Sequence, residues 1–250
     1  MKEIIIDGSR MMQVSENPKI LVSLKSKLDF SAFSISEKEA LLKKHFSIDS
    51  YRDFQQSHGR NIFGIDRVED SIFGIDPVSD EITFGSGPGN LNPASFDGFY
   101  TNRKNDAYGI KTADCIPLIL WNPKKTILFG LHCGWRGLLF GIVEKALSSK
   151  PGREVTHAFI GPHISYKHYE IGADFLGAFA LVNIDIDRFL TRNDRKVYMN
   201  LRALCEQKLA KYDIKIINES SPCSYEKSDS LFSWRRDKEK SLRNVCLSWF

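Results

Sequence analysis

The chain has 250 residues, 42% of them hydrophobic and 26% charged, a globular composition that excludes collagen, coiled coil and intrinsic disorder. Lys plus Arg number 35 against 31 Asp plus Glu, a formal charge of +4. That is too mild for a nucleic-acid footprint, and no basic block interleaves with aromatics, so no nucleic-acid partner is expected. No stretch reaches the roughly 18 uncharged apolar residues of a membrane helix, and the opening MKEIIIDGSRMM lacks the apolar run and small-residue cleavage site of a signal peptide. Five cysteines without framework spacing point to a cytoplasmic chain with reduced thiols, where a cysteine of note is a ligand or a nucleophile.

Residues 1–57 carry mixed signals, with a helix predicted over 36–45 and a capping-box spacing from Ser36 to Glu39. IFGIDRV at 62–68 and IFGIDPV at 72–78 echo each other, but two copies are too few for a solenoid and read as paired strand–turn segments. GSGPGNLNP at 85–93 has the glycines of a phosphate cradle. No amphipathic helix follows it, so it reads as a surface loop. Strands are predicted over 115–121 and 126–132, joined by the turn Asn122-Pro123-Lys124-Lys125. Apolar residues between 138 and 147 recur at helical spacing. A strand over 157–160 runs into Gly161-Pro162, and 174–181 reads as helix. Asn200 is a candidate N-cap for a helix whose apolar face is Leu201, Leu204, Cys205 and Leu209. Residues 214–217 read as a strand. Strands alternating with helices define an α/β or α+β fold, and the absence of a linker favours a single domain over 1–250.

If the 122–125 turn joins its strands in simple antiparallel register, Cys115 lies directly opposite His132, with Cβ atoms about 4.5–5.5 Å apart. That spacing suits two ligands of one metal, or a thiolate and its base. Pro117 cannot donate to a ladder and could force an edge or a bulge; a one-residue slip would put the two side chains on opposite faces. Around the pair, Asp114 adjoins Cys115, and Gly134-Trp135-Arg136-Gly137 follows His132. The glycines allow close backbone approach, Trp135 offers a flat surface and Arg136 a planar donor fork. The plainer alternative is a tight strand-to-helix turn with a buried Trp and a solvated Arg.

TADCIP at 112–117 followed by HCGWRG at 132–137 resembles the YfiH family, variously described as laccase-domain polyphenol oxidase, purine nucleoside phosphorylase and peptidoglycan editing factor. Further matches are QQSHG at 55–59, Gly161-Pro162 with Tyr169-Glu170-Ile171-Gly172, Asn200-Leu201, and Cys223 ahead of Ser233-Trp234-Arg235-Arg236. The resemblance covers roughly residues 50–250. Departures are Cys133 where Ala is usual, His163 where a small residue is usual, and Leu242-Arg243 for the closing Gly-Arg. The resemblance implies a layered α/β/β/α fold with mixed sheets, like that of the CNF toxin deamidase. It also implies a metal site of His58, Cys115 and His132. Three N/S ligands leave a fourth zinc position open, the pattern of a catalytic site, and copper loaded during expression is a further occupant. Cys205 and Cys246 read as core; His45, His157 and His168 as background.

A multicopper laccase needs far more histidines than the six present. A lone blue-copper site of two His and one Cys would need an axial Met, for which Met199 is the candidate. The resemblance points instead to purine nucleosides: phosphorolysis of adenosine, inosine, guanosine and methylthioadenosine, and deamination of adenosine. On that reading the partners are small molecules, a nucleoside and phosphate. Arg136 is the phosphate clamp, Arg235 or Arg236 a second one, Trp135 stacks on the base and Asp114 shuttles a proton. The rival reading is a cysteine amide hydrolase acting on peptidoglycan precursors, with Cys115 as nucleophile and His132 as base. A metal-dependent binding module without catalysis is a third.

Overall fold

The structure, a computed structural model, describes residues 1–65, 71–75, 82–86, 96–180, 184–193 and 195–250. Among these, the N-terminal region of mixed signals forms a meander, Lys2–Ile6, Ser9–Glu16 and Lys19–Ser23. It is extended by the last strand Asn244–Trp249, then by Asp106–Thr112 and Ser50–Asp53, into a six-stranded mixed sheet. A second mixed sheet runs in the order Lys215–Ile216, His157–Ile160, Ile116–Trp121, Leu128–Cys133, Gly98–Thr101, Ile62–Ile65, Ser71–Ile75, Ile82–Ser86. A small sheet of Glu170–Ile171, Lys196–Met199 and Leu190–Asn193 lies apart.

The two large sheets pack face to face through Ile20, Val22 and Tyr108 of one and Phe99, Ile119 and Phe159 of the other. Phe99 stacks on Tyr108, ring centroids 4.6 Å apart. Gly130 makes room for it, since a Cβ there would come within 2.2 Å of the Phe99 ring. The outer face of the first sheet is covered by the helix Ile35–His45 through Leu42, packed with Phe30 and Val245. The outer face of the second is covered by Ile142–Ser148 and Leu201–Ala210, which meet Leu118, Leu120 and Leu131. The layers therefore run helix, sheet, sheet, helix, as the resemblance implied. The central strands are buried on both faces, which is why Ile116–Trp121 is apolar without interruption. No described helix is long and apolar enough to cross a membrane.

Several local expectations shift. The first long helix starts at Ile35, and its capping box is Ser34 with Glu37, not Ser36 with Glu39: the Ser34 side chain accepts from Glu37 N–H while Glu37 accepts from Ser34 N–H at 2.7 Å. The apolar stretch 138–147 is two helices, Trp135–Leu139 and Ile142–Ser148, broken at Gly141 with φ +85°. The hairpin register differs by two residues, His132 pairing with Pro117 and Leu128 with Trp121. The cause is Asn122, whose Oδ1 takes the Thr126 N–H at 3.1 Å and keeps that residue out of the ladder. Pro117 sits in a central strand without breaking the register. The echoed segment forms the antiparallel strands Ile62–Ile65 and Ser71–Ile75; the rest of it lies outside the described residues. So does most of the loop predicted over 85–93, whose first two residues end the strand Ile82–Ser86.

Candidate functional site

A two-residue register shift preserves the face of every side chain, so Cys115 and His132 still emerge together, on the side of the second sheet that faces the first. Cys133 emerges on the opposite side, within the helix-covered core. The third member, His58, comes from the loop after Ser50–Asp53. That loop is tied to the first sheet by Gln56, which donates to Lys111 O (2.7 Å) and accepts from Lys111 N–H (2.8 Å). The ligand atoms of His58, Cys115 and His132 all lie within 4.8 Å of one another, and the two imidazole centroids are 4.7 Å apart. His132 is buried, Cys115 half-buried and His58 exposed, so the cluster opens to solvent on the His58 side.

Glycines set the closeness of this assembly. A Cβ on Gly134 would lie 3.1 Å from Cys115 Sγ and 3.2 Å from His58 Cδ2, and one on Gly137 would lie 3.0 Å from Gly59 O. Burial raises the Cys115 thiol, but the His132 and His58 imidazoles outweigh it and hold the group at about 6. Burial lowers His132, and Cys115 with Asp97 reverses this to about 9. Each group thus favours the charged form of the other.

Asp97 was not singled out from the sequence. It is fully buried, its Oδ1 accepts from His132 Nδ1 at 2.9 Å, and its carboxylate also receives the N–H groups of His58 and Gly59 at 2.8 and 2.7 Å. The available signal was an acid inside the apolar run Phe96-Asp97-Gly98-Phe99, since buried carboxylates demand partners.

The remaining expected site residues separate into two groups. Asp114 is buried in a left-handed conformation, φ +97°. Its Oδ1 accepts from Ser224 Oγ (2.7 Å) and its Oδ2 from Arg235 N–H (2.6 Å), so it ties the C-terminal segment to Cys115. Arg236 turns into the chain, its N–H donors meeting Asp237 and the carbonyls of Ser224, Tyr225 and Leu231. All five donors are used, which makes it a strut and not an anion binder. Arg136 is exposed over the Trp135 ring at 4.4 Å, with Phe175 at 4.5 Å from the same ring. Arg235 lies over Tyr169 at 5.6 Å. Among the described residues neither guanidinium is ion-paired. Burial and then Cys115 raise the Tyr169 phenol, while Arg235 and Arg136 pull the other way.

The other sulfur and imidazole groups are used elsewhere. Cys205 and Cys246 are core residues pushed up to about 12 by burial, and Cys223 Sγ accepts from Ser165 N–H at 3.2 Å. His45, His157, His163 and His168 bond to Asp7, Thr156, Gly161 O and Glu226. Met199, the axial-ligand candidate, is fully buried in the helix-covered core. The described residues therefore form one His–Cys–His cluster, a donor set suited to zinc or copper and not to hard oxygen-seeking cations.

Fold and cluster together define a β-sandwich flanked by helices with, among the described residues, one N/S metal-type centre that opens to solvent at His58. The chain belongs to the multi-copper polyphenol oxidoreductase laccase family, whose sequence model matches residues 9–250. It is 32% identical over 145 residues to the purine nucleoside phosphorylase YfiH of Shigella flexneri, a match spanning 57% of this chain and 59% of that protein. It is 30% identical over 149 residues to the adenosine deaminase RL5 of an unknown prokaryotic organism, spanning 56% of each. In fold it is similar to the crystal structure of Neisseria meningitidis protein NMB0706, with TM-score 0.74 at 17% identity, covering 96% of this chain and 98% of that one.

Proposed function

We propose that the chain is a zinc-dependent purine nucleoside enzyme, cleaving adenosine, inosine, guanosine and methylthioadenosine with phosphate and deaminating adenosine. The observation that carries this reading is the open His58–Cys115–His132 cluster, with the Arg136 and Arg235 guanidinium groups over the Trp135 and Tyr169 rings and without an ion-pair partner among the described residues. The names of the Shigella and RL5 relatives support the substrate class. Zinc held by three such ligands supplies Lewis acidity and activates water near neutral pH.

The chain's own residues supply the rest. Arg136 and Arg235 hold the phosphate dianion by charge-assisted hydrogen bonds and bring one of its oxygens to ribose C1′. The new C1′–O bond forms as the glycosidic C–N bond breaks, and the purine leaves with the bonding pair and takes up a proton. The Trp135–Arg136 stack offers a flat wall for the base. Asp114 orients Arg235 through its backbone N–H and so acts on position more than as a proton shuttle. Chromatography of zinc-loaded protein with adenosine, with and without phosphate, tests the proposal. Adenine appearing only with phosphate, or inosine in either case, and neither with Cys115→Ala, supports it; no product under any condition removes it.

One observation favours a second reading, a cysteine amide hydrolase acting on a peptidoglycan precursor: Cys115 held at about 6 beside His132 at about 9 is the charge state of an activated nucleophile. Iodoacetamide separates the two. A zinc-bound thiolate is protected by metal, whereas a nucleophile is alkylated in metal-free and metal-loaded protein alike.

A further inference from the structure

Asp97 belongs to none of the motifs that carry the site, yet it touches both histidines. Its Oδ1 accepts from His58 N–H (2.8 Å) and His132 Nδ1 (2.9 Å). Its Oδ2 accepts from Gly59 N–H (2.7 Å), Ser57 Oγ (3.0 Å) and Ser57 N–H (3.3 Å). The backbone is locked as well, Asp97 O accepting from His132 N–H at 2.6 Å and Asp97 N–H donating to Asn61 O at 2.8 Å. We infer that Asp97 is the positioning residue that assembles the metal centre, setting the tautomer of one histidine ligand and the backbone conformation of the other.

Two physical arguments converge on this. An imidazole nitrogen that faces a carboxylate carries its proton there, which leaves the other nitrogen's lone pair free. With Nδ1 on Asp97, His132 presents Nε2 to the cluster, the arrangement in which a carboxylate fixes a ligand's ring and raises its basicity. His58, meanwhile, sits at φ +64°, a conformation that a residue with a Cβ disfavours. It is held there because the consecutive N–H groups of Ser57, His58 and Gly59 converge on one anion, an anion-binding nest whose anion is the Asp97 side chain. One carboxylate thus draws residues 58 and 132 to a common point. The inference rests on the metal-binding part of the function proposed above and not on the substrate.

The test is the zinc affinity of full-length wild type and Asp97→Asn, by competition with a chromophoric chelator, with the His132 tautomer read by nitrogen NMR in zinc-loaded wild type. Asparagine has nearly the same shape but presents an NH2 either to His132 Nδ1–H or to the nest, so one set of bonds opposes it. The expected result is a folded variant whose zinc affinity falls about 10–100-fold, and a wild-type His132 protonated on Nδ1. Unchanged affinity in the variant, or a wild-type His132 protonated on Nε2, overturns the role. If the variant does not fold, the wild-type tautomer decides alone. Wild type that binds no zinc overturns this inference and the metal reading together, whereas zinc binding without nucleoside turnover overturns only the substrate reading.

Discussion

A methyl group at position 134 would lie 3.1 Å from the Cys115 sulfur and 3.2 Å from His58, closer than the roughly 3.5–4.0 Å at which non-bonded atoms are at ease. Gly134→Ala is therefore expected to displace one of the two ligands while leaving the helix start after it intact. Zinc affinity should fall about tenfold or more, about 1.4 kcal/mol, with little change in the urea midpoint of the metal-free protein. Equal zinc affinity in chelator competition would show that the ligands have slack. At this scale the sequence was most informative where a motif names the residue, as for Cys115 and His132. It was least informative for side chains whose role depends on what they meet. Arg235 and Arg236 are neighbours of the same type, but one lies over Tyr169 and the other is consumed by backbone carbonyls. Asp97 reads as one acid among many until three chain segments close around it.

The elements near the centre were legible as types and less so in their limits. The strands and helices after residue 112 follow from apolar periodicity, but the helical period across 138–147 does not register that Gly141 takes a left-handed turn and splits it. The hairpin register was decided by one Asn122 side-chain bond. A further consequence belongs to the segments that frame the site. His163 joins residues 161–164 to 222–224, donating its N–H to Pro222 O and accepting from Ser224 N–H. Burial holds its imidazole down at about 4, against about 6.5 when unfolded. Because the folded value is the lower one, stability from neutral His163 is present in full above pH 6.5 and is lost as pH falls toward 4. The loss is about 3 kcal/mol. Urea unfolding at pH 7 and pH 4.5 should show a smaller acid loss in His163→Gln than in wild type; identical losses would mean that the imidazole is protonated without cost.

Across the whole molecule, His58 comes from a loop after a strand of one sheet, Cys115 from the residue just before a strand of the other and His132 from that sheet's next strand, and they meet only when the sheets pack. A metal bound there binds the folded state and not the unfolded one. Zinc at about 100 times its dissociation constant should therefore add about 2.7 kcal/mol of stability, raising Tm by several degrees in wild type and not in Cys115→Ala; a scanning calorimetry trace unmoved by zinc would contradict it. Apolar periodicity was enough, by itself, to determine a mixed α/β chain, and the motif pair at 112–117 and 132–137 carried the resemblance that implied one N/S centre, because periodicity and motif are local properties of the residues. Tertiary structure alone decided that Asp97 unites the two histidines, that Arg236 is a strut while Arg136 and Arg235 lie over aromatic rings, and that Gly134 must lack a side chain. Those outcomes depend on which distant segments arrive at the same few ångströms, and on which hydrogen-bond partners are left over once the backbone has taken its own.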